Sequence, residues 1–143
     1  MFVSNNVENI KKNARSGHAR VLIIDDSDLS RRTVAGILER EGFNVVGQAA
    51  NAEQGMQQAY STGANVFLID VVMPDISGIE VANYIRENIK EPRIIMMSSL
   101  DIESVIIESI SSGAIDFLSK PFEERDLIRA VEKIDIELQK EHG

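Results

Sequence analysis

Side chains able to do chemistry stand in this sequence at the ends of short apolar runs. Five of them share this placement: Asp25, Asp26, Asp70, Ser98 and Lys120. If the runs are parallel strands, their ends meet at one edge of a sheet, where open α/β sheets bind their ligands. The sequence therefore predicts a single polar pocket built from residues far apart in the chain.

The three aspartates of this set predict a cation site. Carboxylates brought close together repel one another unless a cation lies between them. Oxygen ligands without histidine or cysteine favour Mg²⁺ over zinc. A lysine and a serine across such a pocket could bind phosphoryl oxygens, which points to phosphoryl transfer to a carboxylate. Asp70 is the best nucleophile because the pair Asp25–Asp26 is already suited to hold the metal.

Each residue alone also has a simpler interpretation. Asp25–Asp26 could cap a helix, and Asp70 could form a turn before its proline-containing loop. Ser98 could serve only its own loop, and Lys120 could be one of many exposed lysines. The joint arrangement at four strand ends is what favours a shared pocket.

The elements that must position these residues alternate regularly along the chain. Short β-branched runs predict strands over residues 21–24, 44–48, 66–69, 94–97 and 115–118. Helical patterns predict helices over residues 29–40, 52–60, 79–88, 101–111 and 123–141. Ser27 or Asp28 caps the first helix and Asn51 the second, while Gly42 and Gly113 end the first and fourth helices. This alternation implies a doubly wound α/β domain, a parallel sheet with helices on both faces.

Composition limits the classes of function. A chain of 143 residues suggests one domain, and a formal net charge of -8 argues against sequence-independent nucleic-acid binding. There is no cysteine, and no run approaches the length of a membrane span, so we expect a cytoplasmic protein with no membrane contact. Residues 1–18 have few large apolar side chains, so we predict a flexible extension there and a folded domain over residues 19–143.

Four sequence motifs in this order carry a resemblance to a known family. They are VLIIDDS at residues 21–27, DVVMPDISG at residues 70–78, MSS at residues 97–99 and DFLSKPF at residues 116–122. Over about residues 19–140 the chain resembles the receiver domain of two-component response regulators. The resemblance implies a five-stranded, flavodoxin-like fold and a signalling module rather than a conventional enzyme.

The resemblance also assigns roles to the polar residues. It implies that a histidine kinase or phosphotransfer protein, in a phosphorelay, phosphorylates Asp70. It implies direct Mg²⁺ ligands at Asp26, Asp70 and the Val72 backbone carbonyl, with Asp25 acting through water. It also implies that the Lys120–Pro121 peptide bond is cis and directs the Lys120 side chain into the pocket.

A conformational switch follows from the same resemblance. Ser98 is expected to move toward the phosphoryl group, and Phe117 to turn inward into the vacated space. This would reshape the face formed by the fourth helix, the fifth strand and the fifth helix, and so control binding of a downstream protein target. The resemblance is to stand-alone, chemotaxis-type receivers, and it leaves phosphorylation-dependent homodimerisation open.

The fourth predicted helix carries more apolar residues than one buried stripe requires. We favour a wide core-facing surface as the explanation. The alternative is a partly exposed docking stripe formed by Ile102, Ile106 and Ile110, which are spaced four apart. Val72 and Leu100, at the rim of the pocket, are apolar and cannot orient a hydrolytic water, so we predict slow self-dephosphorylation.

Other classes of function fit less well. Haloacid-dehalogenase-like phosphatases also use Asp, Ser, Lys and Mg²⁺, but their nucleophile lies on the first strand and their acidic pair comes late. A flavin carrier is disfavoured because the first loop is acidic where a phosphate would have to lie. A receiver-like scaffold that is never phosphorylated is disfavoured by the intact Asp, Ser and Lys set.

Overall fold

The predicted alternation of strands and helices is confirmed by a computed structural model, which describes residues 18–100 and 102–142. The strands are β1 (Arg20–Ile24), β2 (Asn44–Ala49), β3 (Val66–Asp70), β4 (Arg93–Ser98) and β5 (Ala114–Ser119). The helices are α1 (Asp28–Arg40), α2 (Ala52–Ser61), α3 (Gly78–Asn88), α4 (Glu103–Ser111) and α5 (Glu124–His142). The predicted N-terminal extension lies outside the described residues, apart from His18.

The five strands form one parallel sheet in the order β2-β1-β3-β4-β5. The chain moves outward in one direction from β1 to β2 and in the other from β3 to β5. The crevice between β1 and β3 is therefore the switch point of the sheet, where ligands bind in folds of this kind. Asp25–Asp26 follow β1 and Asp70 ends β3, so the three carboxylates flank this crevice.

Helices cover both faces of the sheet, as expected for a doubly wound fold. One core cluster joins the sheet to α1 and α5, and a second joins it to α2 and α3. The face of α5 that packs on the sheet includes the buried residues Leu127, Val131, Ile134 and Leu138. Within the described part of the chain, no helix is long and apolar enough to cross a membrane.

Local signals for the helix ends hold in the structure. Ser27 is the N-cap of α1, and its side chain accepts a hydrogen bond from the backbone N–H of Ser30 at 3.2 Å. Asn51 caps α2 in the same way. Gly42, with φ 85°, and Gly113, with φ 100°, adopt the left-handed conformation that ends a helix and favours glycine.

The predicted core-facing surface of the fourth helix is wrong. Of the described residues of α4, Ser109 is the buried one, while Ile102, Ile107 and Ile110 expose 57%, 56% and 49% of their surface. The helix also begins at Glu103 rather than at residue 101, with Ile102 as an N-cap that makes no side-chain capping bond. Because α4 packs beside the edge strand β5, it has too little sheet beneath it to bury all of its isoleucines.

Gly78 is the glycine that the loop between β3 and α3 requires. Its N–H donates to the Val71 carbonyl at 2.8 Å, and a Cβ at this position would overlap the carbonyl oxygen of Asp70. Backbone cannot move aside as a flexible side chain can. A side chain at residue 78 would therefore displace either α3 or the strand end that carries Asp70.

We expect Gly78→Ala to lower the free energy of unfolding by about 3 kcal/mol, since overpacking against backbone forces both segments to shift. Urea denaturation followed by circular dichroism measures this change. Gly36→Ala is the matched control. Apart from its chain neighbours and the backbone of its own helix, nothing lies within 4 Å of the position that its methyl group would take, and α1 should gain about 1 kcal/mol from the better helix former. Equal stability of Gly78→Ala and wild type would contradict the expectation.

Candidate functional site

All five residues predicted to do chemistry lie together at the carboxyl edge of the sheet. One carboxylate oxygen from each of Asp25, Asp26 and Asp70 lies within 4.8 Å of the others. Asp25, Asp70 and Ser98 are buried, whereas Asp26 is exposed. The pocket thus has a buried floor and one carboxylate open to solvent.

Lys120 connects the two buried carboxylates. Its Nζ donates to Asp25 Oδ2 and to Asp70 Oδ2, both at 2.8 Å. Its side chain is 20% exposed, so the ammonium is largely withdrawn from water. Burial alone would lower the pKa of Lys120, but the hydrogen bonds to Asp25 and Asp70 raise it above its ordinary value. The ammonium is therefore charged at neutral pH.

Asp25 receives more hydrogen bonds from the protein than Asp70 does. Burial raises its pKa, but hydrogen bonds from Lys120, the Ser30 side chain and the Ser27 N–H, at 3.0 Å, outweigh burial, so the net pKa lies below the ordinary value. These donors stabilise the ionised form. Asp25 is therefore a fixed negative charge in the pocket.

Asp70 has the opposite balance. Burial raises its pKa, and the hydrogen bonds from Lys120 and from the Val72 N–H, at 3.0 Å, do not fully compensate. It receives one donor fewer than Asp25, and the charge of Asp25 adds to the increase. Of Asp25 and Asp70, Asp70 is thus the one whose ionised form the protein stabilises less.

The donor set fits a magnesium ion. Three carboxylates face one ammonium, which leaves an excess of two negative charges in the pocket. The ligand oxygens lie within 4.8 Å of one another, a limit that includes the ~4 Å between opposite ligands of an octahedral Mg²⁺ site. The group contains neither histidine nor cysteine, the ligands that zinc prefers.

The predicted switch residues Ser98 and Phe117 lie on the paired strands β4 and β5. The Ser98 side chain is fully buried, and its Oγ accepts a hydrogen bond from the Leu100 N–H at 2.9 Å. The Ser98 carbonyl accepts from the Lys120 N–H at 2.8 Å, and Lys120–Pro121 is a cis peptide bond, as the resemblance implied. Phe117 is half-buried against the second core cluster.

Two residues that support the loops around the site escaped the sequence analysis. Arg31 is buried, and it donates from Nη1 to the Asp25 carbonyl at 2.8 Å. Asp75 accepts hydrogen bonds from the backbone N–H groups of Ala52 and Glu53, both at 3.2 Å, and so ties the loop after Asp70 to the start of α2. A signal for Arg31 was present, since it falls on the apolar face of its helix.

The Asp75 carboxylate stabilises its loop only when it is ionised. Asp75 is exposed, and a loss of hydration opposes its ionisation, but the N–H groups of Ala52, Ile76 and Glu53 outweigh this and hold the pKa of Asp75 below its ordinary value of 3.8. A lowered pKa in the folded state means that the stabilisation is present above pH 3.8 and is lost as the pH falls through the folded-state value.

We expect Asp75→Asn to lower the melting temperature at pH 7, because an amide cannot accept at both oxygens, and we expect this difference to shrink in acid. Thermal denaturation between pH 7 and pH 3 measures it. The control is Asp116→Asn, at an exposed aspartate whose carboxylate accepts from the N–H of the next residue. A difference for Asp75→Asn that is constant across this pH range would contradict the assignment.

Comparison with known proteins agrees with the fold and the site. Residues 21–132 match the response regulator receiver domain family. The chemotaxis protein CheY of Bacillus subtilis is 33% identical over 114 residues, which are 80% of this chain and 95% of that protein. A CheY-like receiver domain protein from Methanospirillum hungatei superposes with a TM-score of 0.80 at 28% identity, covering 86% of this chain and 98% of the other.

A second similar structure is a complex from Borrelia burgdorferi that contains CheX, CheY, BeF3 and Mg²⁺. Its matched chain has a TM-score of 0.75 at 29% identity, and the match covers 81% of this chain and 88% of that chain.

These matches, with the fold and the acidic pocket, place the protein among the signalling modules of two-component systems. The chain belongs to the response regulator receiver domain family. Within that family it is a receiver of the CheY type. Membership in this family excludes the alternative of a haloacid-dehalogenase-like phosphatase. The cluster of Asp25, Asp26 and Asp70 fits phosphorylation and Mg²⁺ binding.

Proposed function

We propose that this protein accepts a phosphoryl group on Asp70 from a histidine kinase or a phosphotransfer protein in a Mg²⁺-dependent reaction. The observation that carries the proposal is the Lys120 ammonium, 2.8 Å from both Asp25 and Asp70 beside an excess of negative charge. The Borrelia burgdorferi complex supports it, since that CheY is found with BeF3 and Mg²⁺.

Each residue has a defined task in the transfer. An Asp70 carboxylate oxygen attacks the phosphorus atom, so that an O–P bond forms while the bond from phosphorus to the donor's nitrogen or oxygen breaks. When bound, Mg²⁺ supplies the positive charge that neutralises the carboxylates and the phosphoryl oxygens. Asp26 and the Val72 carbonyl would hold it directly, and Asp25 would do so through water. Lys120 releases one of its carboxylates and binds a phosphoryl oxygen.

Buried Asp70 is well prepared to act as the nucleophile. Its raised pKa shows that the ionised form is under-stabilised before the metal binds. A bound cation would relieve this condition. In the aspartyl phosphate the negative charge lies instead on the phosphoryl oxygens, where Lys120 would bind it. Asp25, with its lowered pKa, stays ionised and keeps Lys120 in the pocket throughout.

The signal then leaves the pocket through Ser98 and Phe117. We infer that the Ser98 hydroxyl gives up the Leu100 N–H and turns to the phosphoryl group. Phe117 then moves from its half-buried position into the vacated space. The face of α4, β5 and α5 changes shape, and a downstream protein target reads the change.

The exposed isoleucines of α4 are the docking residues that we propose for this target. Ile102 and Ile110 are about half exposed and Ile106 is partly exposed, so the stripe is accessible in the unphosphorylated protein. An exposed apolar patch of this kind is typical of a protein interface. Phosphorylation-dependent pairing of two copies stays a second use of the same face.

Slow loss of the phosphoryl group follows from the rim of the pocket. Val72 and Leu100 expose 52% and 45% of their surface and carry no group that could orient a hydrolytic water. We expect Val72→Asn to hydrolyse its aspartyl phosphate about tenfold faster than wild type, because an amide can position water for attack. Loss of phosphoprotein after removal of the donor measures the rate. Val72→Ala is the control, and an equal acceleration there would show that the size of the opening matters rather than polarity.

The proposed function is tested by incubating the protein with acetyl phosphate and Mg²⁺ and measuring intact mass. We expect a gain of one phosphoryl group that requires Mg²⁺ and that a chelator prevents. Phosphorylation should also increase capture of the target. No added mass on the wild-type protein would show that the chain is a scaffold that is not phosphorylated.

A further inference from the structure

Arg31 occupies an unusual position for an arginine. It lies on α1 at the same helical face as Val34, Ala35 and Leu38, which form part of the core. Only 8% of its surface is exposed. Burying a guanidinium is costly unless its N–H groups bind acceptors. The acceptors of Arg31 therefore indicate its role.

The two acceptors of Arg31 lie at the loop that carries the acidic pair. Nη1 donates to the Asp25 backbone carbonyl at 2.8 Å, and Nη2 donates to Asp28 Oδ1 at 2.6 Å. Asp28 forms an ion pair with Arg31 and so balances the guanidinium charge. The planar fork of arginine suits a pair of acceptors that a lysine could not satisfy together.

The contact to Asp25 acts on the peptide group that links the two acids. The Asp25 N–H already donates to the Ala49 carbonyl at 3.0 Å, and its carboxylate is held by Lys120 and the Ser27 N–H. Arg31 binds the remaining polar group of Asp25, the carbonyl oxygen. The plane of the Asp25–Asp26 peptide is thereby set, and this plane determines the direction in which the exposed Asp26 side chain leaves the loop.

We propose that Arg31 is a positioning residue for the cation site. Through the Asp25 carbonyl, it orients Asp26 toward Asp25 and Asp70, so that the three carboxylates are arranged before the ion arrives. The inference rests on the proposed function, because the ion is the Mg²⁺ of that reaction. Arg31 itself contacts neither the ion nor the phosphoryl group.

A purely structural role for Arg31, anchoring α1 to β1, makes a different prediction. An anchor would change the free energy of unfolding and leave Mg²⁺ affinity unchanged in the folded protein. A positioning residue would weaken Mg²⁺ binding in protein that is still folded. Partners of this kind behind a metal ligand typically contribute tenfold to a hundredfold in affinity.

The test compares Arg31→Lys and Arg31→Met with wild type by isothermal titration calorimetry with MgCl₂, after denaturation curves have shown that each variant is folded. We expect the Mg²⁺ dissociation constant to rise about tenfold in both variants. Arg32→Lys and Arg32→Met are the matched controls, since Arg32 is the exposed neighbour on the same helix. If Arg31→Met does not fold, Arg31→Lys decides the test, because it keeps the stem and the charge.

Phosphorylation kinetics supply a second readout. With acetyl phosphate as donor, the Mg²⁺ concentration giving half the maximal rate should rise by the same factor, while the maximal rate stays within about twofold of wild type. Unchanged Mg²⁺ affinity in the folded Arg31 variants would overturn the inference, as would a fall in maximal rate with no change in Mg²⁺ dependence. Wild-type protein that neither binds Mg²⁺ nor gains a phosphoryl group would instead contradict the proposed function.

Discussion

Exchange of Asp70 for asparagine is expected to abolish the gain of one phosphoryl group from acetyl phosphate and Mg²⁺. The asparagine side chain has nearly the same shape, but its amide lacks the negative charge that attacks phosphorus. Lys120 keeps Asp25 as a hydrogen-bond partner in this variant, so the ammonium stays in the pocket. Intact mass spectrometry after a fixed incubation measures the outcome directly.

Asp75→Asn is the matched control for Asp70→Asn. It removes a carboxylate from the same loop, but Asp75 faces the N-terminus of α2 instead of the pocket. We expect it to gain the same mass as wild type. A phosphoryl group on Asp70→Asn would identify another acceptor, and the assignment of Asp70 as phosphoacceptor would then be wrong.

Replacement of Lys120 by methionine should slow phosphorylation by about a hundredfold at saturating Mg²⁺. The ammonium is expected to stabilise charge that develops on the phosphoryl oxygens, and loss of one such group typically costs this much. Methionine matches the length of the lysine stem and cannot donate. The initial rate of phosphoprotein formation, measured against Mg²⁺ concentration, gives both the maximal rate and the Mg²⁺ dependence.

The same substitution should strengthen Mg²⁺ binding although it slows phosphorylation. A unit charge about 5 Å from a divalent ion costs more than 1 kcal/mol even at the dielectric constant of water. Lys120→Met therefore should bind Mg²⁺ about tenfold more tightly, although it is phosphorylated more slowly. Without Mg²⁺ the variant should be less stable than wild type, because Asp25 and Asp70 lose their shared cation, and added Mg²⁺ should restore stability.

Lys90→Met controls for loss of a lysine at the opposite edge of the sheet, where its side chain is exposed. It should leave both the rate and the Mg²⁺ affinity unchanged. A rate for Lys120→Met within twofold of wild type would contradict the role that we assign to the ammonium. Weaker Mg²⁺ binding by Lys120→Met than by wild type would contradict the expectation that Lys120 and the metal ion compete for the Asp70 carboxylate.

The strands and most helix ends could be predicted because their signals are local. β-branched runs, the caps at Ser27 and Asn51 and the stops at Gly42 and Gly113 act through neighbouring residues alone. The third strand was predicted to end one residue before Asp70, which the structure includes in β3. Its pairing with Met97 of β4 decides this, and a contact across strands leaves no mark in the local pattern.

The fourth helix shows where periodicity stops being informative. Isoleucine and valine residues lie around most of its surface, so the pattern cannot tell which side faces the core. The structure packs Val105 against the sheet and leaves Ile102, Ile107 and Ile110 exposed. The position of α4 beside the edge strand determines this outcome, and that position depends on the whole sheet.

By itself, the sequence determined the pocket, since parallel strands must bring the residues after them to one edge, and their types admit few kinds of chemistry. Only the tertiary structure decided how the environments of Asp25 and Asp70 differ. Asp25 receives more donors than Asp70, which separates their pKa values in opposite directions. Arg31 and Asp75 acquired their roles because hydrogen bonds to backbone groups depend on where α1 and α2 pack, which no spacing along the chain specifies.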